Sequence, residues 1–317
     1  MNAICLDENY STTRLVIKEK PEIVNNSEDK FETVLFLPEG EGRKGEGGLR
    51  TKGYFKKSYE GKPLISIITV VYNGKEFLEE TIESVINQTY DNVEYIIIDG
   101  GSTDGTIDII RKYENMIDYW VSERDRGMYE AIHKGFTCAT GQIFAWLNAD
   151  DIYYPWSLNS VAKVFEKYSN INWLTGIPSH INKNTEMINV EHPKYYFQYF
   201  IKKGYYRGDY FGFIQQESTF FRKCLYKKRP LNTNLKLAGD YNLWLNFADD
   251  SELKTVKVIL SSFRMHGNQK SNDIKKYYDE CNITSEGSKV KILKYFFKPI
   301  SILLNSKLIR PITWESR

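Results

Sequence analysis

The chain has 317 residues, with 43 Lys and Arg against 41 Asp and Glu for a formal net charge of +2, and 41% of its residues are hydrophobic. That size and apolar content suffice for one large domain with appendages or for two small ones, and they argue against a disordered chain or a disulfide scaffold. The balanced charge gives no reason to expect nucleic acid as a partner. The four cysteines (Cys5, Cys138, Cys224 and Cys281) are scattered without metal-ligand spacing, and the amino terminus lacks the basic-then-apolar pattern of a secretion signal. Both features point to a reducing, cytoplasmic setting. No run of eighteen apolar residues is available for a spanning helix.

Residues 1–62 are mostly polar and end in a Gly/Lys/Arg-rich stretch between Gly40 and Arg50. Too little of this segment is apolar for it to pack alone, so it reads as an extension draped on a main domain. The pattern changes at Pro63. Residues 64–72 form a nearly continuous β-branched apolar run, which predicts a strand buried on both faces. Helical spacing follows at Phe77, Leu78, Ile82, Val85 and Ile86. A second strand is expected at 93–98, a helix at 107–113, a short strand at 119–122, a helix at about 128–137 and a strand at 143–147. Strands alternating with short helices predict an open, mainly parallel α/β sheet with right-handed crossovers. Ligands bind such sheets outside the carboxyl ends of the strands.

Those strand ends carry Tyr72-Asn73-Gly74, then Asp99 to Thr106, then Glu123 to Gly127, then Asn148 to Asp151. In the second of these, glycines permit close backbone approach, and Ser102, Thr103 or Asp104 can cap the next helix. In the fourth, acidic side chains stand where a buried strand leaves the sheet. A hard divalent cation takes one or two carboxylates there while substrate phosphates supply other oxygens. The competing reading of the same residues is a solvated turn. No Gly-x-Gly-x-x-Gly follows the first strand and no P-loop is present, which disfavours a dinucleotide oxidoreductase or a P-loop enzyme.

The series from Ile67 to Asn73, Glu83 to Tyr90, Ile98 to Thr106, Asp125 to Gly135, Ala139 to Gly141 and Trp146 to Asp151 resembles the family 2 glycosyltransferases, over roughly residues 63–270. The resemblance implies a GT-A fold, a Rossmann-like and mainly parallel sheet flanked by helices. It also implies an inverting transfer of sugar from a nucleotide-diphosphate donor. Asn148-Ala149-Asp150 stands where the family has its Asp-x-Asp motif, which makes Asp150 the metal ligand for Mn²⁺ or Mg²⁺ and leaves Asn148 to bond ribose or a metal-bound water. Val70, Tyr72, Asn73, Asp99, Gly100, Ser102, Asp125, Gly127, Tyr129, Lys134 and Asp151 fall on the donor-binding positions. Many relatives have an acid after Asp99 that reads the uracil edge. This chain has Gly100 there, so that residue does not specify the base, and UDP is the nucleotide expected from the family.

Downstream, Gln215 to Arg222 resembles the acceptor-side strand, with Gln216 and Glu217, and Ala238 to Trp244 resembles the segment of the catalytic base. Asp240 is the implied base and Trp244 an acceptor-side residue; alternatively, Asp240 caps a helix starting at Tyr241. His266 resembles a residue of the family's closing segment, as a ligand for the metal or a partner for phosphate, with Arg264 or Lys270 neutralising departing charge. The aromatic crowd at 195–213 suits either an acceptor groove or the core. Residues 289–310 interleave apolar side chains with Lys and Arg and contain no acid. That composition suits an interfacial helix on an anionic leaflet, or a helix packing on the domain or on a second subunit. The expected division is an extension at 1–62, a GT-A domain at 63–274 and a basic amphipathic tail at 275–317. The expected acceptor is a glycan or a polyprenyl-diphosphate-linked saccharide of a surface polysaccharide, reached from the cytoplasm or the inner membrane face. The alternatives are a sugar nucleotidyltransferase and a non-catalytic carbohydrate-binding protein.

Overall fold

A computed structural model of the chain describes residues 3–267, 269 and 273–284; Asn268, Lys270, Ser271 and the basic-aromatic stretch at 289–310 lie outside the described residues. In chain order the elements are β1 (Gly45–Gly47), β2 (Ile65–Val71), α1 (Leu78–Ile86), β3 (Val93–Asp99), α2 (Thr106–Lys112), β4 (Tyr119–Ser122), α3 (Met128–Cys138) and β5 (Ile143–Asn148). There follow β6 (Ile152–Tyr153), α4 (Ser157–Lys167), β7 (Trp173–Thr175), β8 (Ser179–Asn182), β9 (Met187–Val190), α5 (Gln198–Lys202) and β10 (Thr219–Arg222). The last are α6 (Lys223–Lys228), α7 (Gly239–Asp250), β11 (Leu253–Thr255), β12 (Ser261–Met265) and α8 (Ile274–Thr284).

Every residue of β2, Ile-Ser-Ile-Ile-Thr-Val-Val, is buried, as the β-branched run requires. Successive side chains leave on opposite faces. Ile65, Ile67 and Val71 join Leu78, Ile82 and Val85 of α1 in one core, while Ile68 and Val70 join Phe136, Trp146 and Trp244 in a second core. Each such aliphatic side chain contributes about 1.5–3 kcal/mol by leaving water. The large sheet has the order β1-β4-β3-β2-β5-β10-β7-β11, and a smaller sheet has the order β6-β12-β8-β9. Strands β4, β3, β2 and β5 run parallel, and β10 lies antiparallel to β5 and β7. The chain is therefore an α/β GT-A type fold, a sheet with helices on both faces. No helix among the described residues is long and apolar enough to cross a membrane.

The amino-terminal extension does more than lie on the surface. Its β1 adds an antiparallel edge strand to β4. Arg50, almost fully buried, reaches Glu94 of β3 at 2.6 Å and bonds the carbonyls of Leu35 and Cys138, both at 2.9 Å. Glu94 also accepts the Ser66 hydroxyl at 2.5 Å and the Thr140 amide at 2.7 Å. Burial pushes the Glu94 carboxyl up, but the Arg50 charge and these donors hold it below the ordinary range. Replacing Arg50 by Met would strand a buried carboxylate, and breaking one half of such a pair costs about 3–5 kcal/mol. Urea unfolding of Arg50→Met should show a loss of that size at neutral pH; a loss under about 1 kcal/mol would mean the pair is not what anchors the extension.

Candidate active site

Strands β3 and β4 lie on one side of β2 and β5 on the other, so the connections diverge between β2 and β5, where Val70 pairs with Asn148. That divergence opens a crevice at the carboxyl ends. On its β2 side, Asn73 takes a left-handed backbone (φ 51), which a short polar side chain tolerates. Its N–H donates to Ser102 Oγ at 2.7 Å and its Oδ1 accepts from the Thr103 N–H at 2.8 Å, tying the first two strand-end loops together. Tyr72 projects beside them, 65% exposed.

Asp99 is fully enclosed. Its carboxylate accepts the amides of Gly101 (3.1 Å) and Ser102 (3.0 Å) and the hydroxyls of Ser122 (2.5 Å) and Ser102. It therefore shapes the loop from behind and does not face the crevice. The cap position of α2 falls to Gly105, and Asp104 just before it accepts the Thr106 amide on Oδ1 at 3.0 Å. A Cβ on Gly100 would meet Asp125 Oδ2 at 2.6 Å. The acid missing at position 100 is thus matched by one arriving from the β4 end, where Asp125 Oδ1 also accepts the Gly127 amide at 2.8 Å.

The turn after β5 separates two neighbouring acids. Asp151 is buried: it accepts the Arg264 amide at 2.9 Å and the Asn148 side-chain amide at 3.2 Å, so it braces the turn and is not exposed to a donor. Burial, then Asp150 and Glu217, push its carboxyl well above the usual range. Asp150 faces outward, with its Oδ2 3.0 Å from His266 Nε2. The guanidinium of Arg264 is fully buried and bonds Asp150 O (2.7 Å), Thr185 Oγ1 (2.8 Å) and Glu80 (2.8 Å). These contacts occupy Arg264 in holding β12 to the turn, which corrects the expectation that it neutralises departing charge. Among the described residues no group of three His, Cys, Asp or Glu side chains converges as a complete metal site. One carboxylate, one imidazole and the buried, unpartnered Asn148 Oδ1 fit a hard cation that takes its other oxygens from a diphosphate.

Opposite stand two more acids. Helix α7 begins at Gly239 with Ala238 as its cap residue, so Asp240 lies in the first turn and is not the cap. Asp240 is half-buried, and its Oδ1 lies 3.2 Å from the Tyr129 hydroxyl, which also donates to Leu237 O at 2.8 Å. Desolvation pushes Asp240 up to about 6, with its own and the Tyr241 backbone amides and Tyr129 pulling the other way. Glu217 is buried with Oε1 unpartnered. Burial, reinforced by Asp240 and Asp150, pushes it to about 8, so it stands electrostatically between them. Its neighbour Gln216 bonds Trp146 O (2.5 Å) and Asn148 (3.1 Å), fixing this strand against β5.

The structure thus brings Tyr72, Asn73, Gly100, Asp125, Gly127, Asn148, Asp150 and His266 to the sheet rim, with Asp240 on the α7 side. Val70, Ser102 and Tyr129 are buried beneath. Trp244, expected on the acceptor side, is core: its ring stacks at 5.7 Å on Trp146 and 5.6 Å on Trp173. Lys134 is turned to Glu123 at 2.7 Å. Of the aromatic stretch, Tyr196, Tyr205 and Tyr206 are core and Phe213 is exposed. Sequence reasoning missed Lys44, whose ammonium bonds the carbonyls of Gly101 (2.8 Å) and Ser102 (3.0 Å), and Glu280, which bonds the amides ahead of α7. Neither carries a local signal, because each partner is far along the chain.

An uncharacterized glycosyltransferase of Haemophilus influenzae is 28% identical over 255 residues, covering 77% of each chain. The putative teichuronic acid biosynthesis glycosyltransferase TuaG of Bacillus subtilis is 37% identical over 108 residues, covering 33% of this chain and 42% of that one. Among solved structures, S. aureus TarS 1-349 in complex with UDP-GlcNAc superposes with a TM-score of 0.55 at 14% identity, over 72% of this chain and 69% of that one. The mannosyltransferase PcManGT of Pyrobaculum calidifontis in complex with GDP-Man and Mn²⁺ gives 0.53 at 17% identity, over 78% and 71%. Residues 66–229, just over half the chain, match the model of glycosyl transferase family 2, and the chain belongs to that family.

Proposed function

We propose that this glycosyltransferase moves a sugar from a nucleotide-diphosphate donor to an acceptor hydroxyl with inversion at the anomeric carbon. The observation that carries the reading is the pairing of Asp150 and His266 at the turn after β5, with the half-buried Asp240 carboxylate in the first turn of α7. Donors bound by the structural neighbours, UDP-GlcNAc and GDP-Man, are of the same chemical class. Tyr72, Asn73, Gly100 and Gly127 line the nucleotide side. Asp125 fills the space Gly100 leaves, and its carboxylate is placed on the side proposed for the base.

A divalent cation held by Asp150 and His266, Mn²⁺ or Mg²⁺, would neutralise the diphosphate as it leaves. The chain's own part is proton transfer and positioning. Asp240 accepts the acceptor hydroxyl proton as that oxygen bonds to the anomeric carbon; the bond from that carbon to the diphosphate oxygen breaks, and its electron pair leaves with the nucleoside diphosphate. The likeness to TuaG, whose name assigns it to teichuronic acid biosynthesis, supports a role in polysaccharide assembly; the acceptor proposed for this chain is a glycan or a polyprenyl-diphosphate-linked saccharide, met at the cytoplasmic side of the membrane. Family membership sets aside the sugar nucleotidyltransferase. The acids gathered at the rim speak against a protein that only binds carbohydrate.

Three measurements test the reading. Calorimetric binding of UDP, with GDP in parallel, should strengthen when Mn²⁺ replaces chelator, and Asp150→Ala or His266→Ala should remove that gain; equal affinity in chelator would break the metal assignment. Asp240→Asn keeps shape and loses the proton acceptor, so turnover should fall by about 10²–10⁴ with nucleotide affinity unchanged. Because the base must be ionised, wild-type turnover should rise with pH through about 6 and fall away below it. A pH-independent rate there, or near-normal turnover of the Asn variant, would remove Asp240 from the role.

A further inference from the structure

Helix α7 starts without a cap of its own, since Ala238 offers no side-chain acceptor. The backbone amides around such a start need partners from elsewhere. They find them in another helix. Glu280 of α8 accepts the amides of Lys236 (2.9 Å to Oε1, 3.1 Å to Oε2), Leu237 (2.8 Å) and Ala238 (2.9 Å). Three backbone donors on one carboxylate are charge-assisted bonds, and the carboxylate sits at the positive end of α7. From the other side, the Tyr129 hydroxyl takes Leu237 O at 2.8 Å while lying 3.2 Å from Asp240. The Lys236 ammonium bonds Arg126 O at 2.6 Å. The segment before Asp240 is thereby pinned between α3 and α8.

Helix α8 is itself fastened. Cys281 is buried against Ala238 and Tyr241, Asn282 accepts Arg207 Nη1 at 2.7 Å, and the Tyr277 ring meets Phe213 at 5.9 Å. We infer that Glu280 is a positioning residue for Asp240, and that α8 sets the place of that carboxylate by holding the segment from which it projects. The inference rests on the reading of Asp240 as the base. The titratable and charged groups facing Asp240 are Tyr129 from α3, Glu217 from the segment before β10, and Tyr277, Glu280 and Cys281 from α8. Of these, the Glu280 charge disfavours ionisation of Asp240, so removing it should lower the pH at which Asp240 titrates.

The test uses the full chain carrying ¹³C-labelled Asp carboxyls, with the Asp240 signal identified by its absence in Asp240→Asn. In Glu280→Gln, hydrogen exchange of the 236–243 segment should quicken at least tenfold, the Asp240 signal should titrate at lower pH, and UDP affinity with Mn²⁺ should stay at the wild-type value. Turnover should drop on the order of 10- to 100-fold, as misplacement of a reacting group does. Glu280→Asp, which keeps the charge with shorter reach, should restore the titration but only part of the exchange protection, and it serves if the Gln variant does not fold. Wild-type exchange and wild-type titration in the Gln variant would overturn the inference, as would loss of UDP affinity in step with turnover. Should Asp240→Asn turn over normally, the base assignment fails instead, whatever the Glu280 variants do.

Discussion

The guanidinium of Arg264 is the group on which the arrangement of the site depends. A cation with no exposed surface must be met by acceptors from every side or it destabilises the fold by several kcal/mol. Its partners come from three separate places: Glu80 in α1, Asp150 O after β5, and Thr185 with the carbonyls of Asn182 and Lys183 at the β8–β9 turn. Phe77 lies 4.7 Å below it, adding a ring face. Satisfying one charge thus gathers both sheets at one corner. The same gathering directs Asp150 outward and places His266, two residues beyond Arg264, within 3.0 Å of it.

The acids divide by solvent access. Asp150 and Asp240 keep some contact with water, whereas Asp151 and Glu217 have almost none, and burial drives both of the latter toward their neutral forms. Four ionised carboxylates in one enclosed space would repel strongly. Driving two of them toward neutrality leaves Asp150 and Asp240 as the two carboxylates in contact with water. Tyr129 beneath Asp240 supplies a donor, and Gln216 beside Asn148 supplies an acceptor for its side-chain amide, and these bonds keep the orientations.

The sheet was legible because its strands are short and buried, β2 and β3 as β-branched runs and β4 and β5 as mixed aromatic and aliphatic ones, so their patterns marked all four within a residue or two. Their order was legible in outline, and the ligand side followed from strand direction. What a residue's letter does not reveal is which way its carboxylate turns. Asp150 and Asp151 are adjacent, yet one faces the crevice and the other braces β12. Asp99 and Trp244 fit motif positions, but loop amides enclose the first and a three-tryptophan stack absorbs the second. The Arg264–Glu80 pair spans 184 positions and Lys44 reaches Gly101 across 57, and no window of sequence holds both ends of either contact.

With Asp240 as the base, the proposed transfer is a single displacement that inverts the anomeric carbon. Stereochemistry reports this without knowledge of the natural acceptor, because water can stand in for it. Proton NMR of the hexose released from an α-linked UDP- or GDP-sugar, taken before mutarotation, reads the first-formed anomer. The account requires the β-anomer; prompt release of the α-anomer would mean a different mechanism and would leave Asp240 without the role assigned to it.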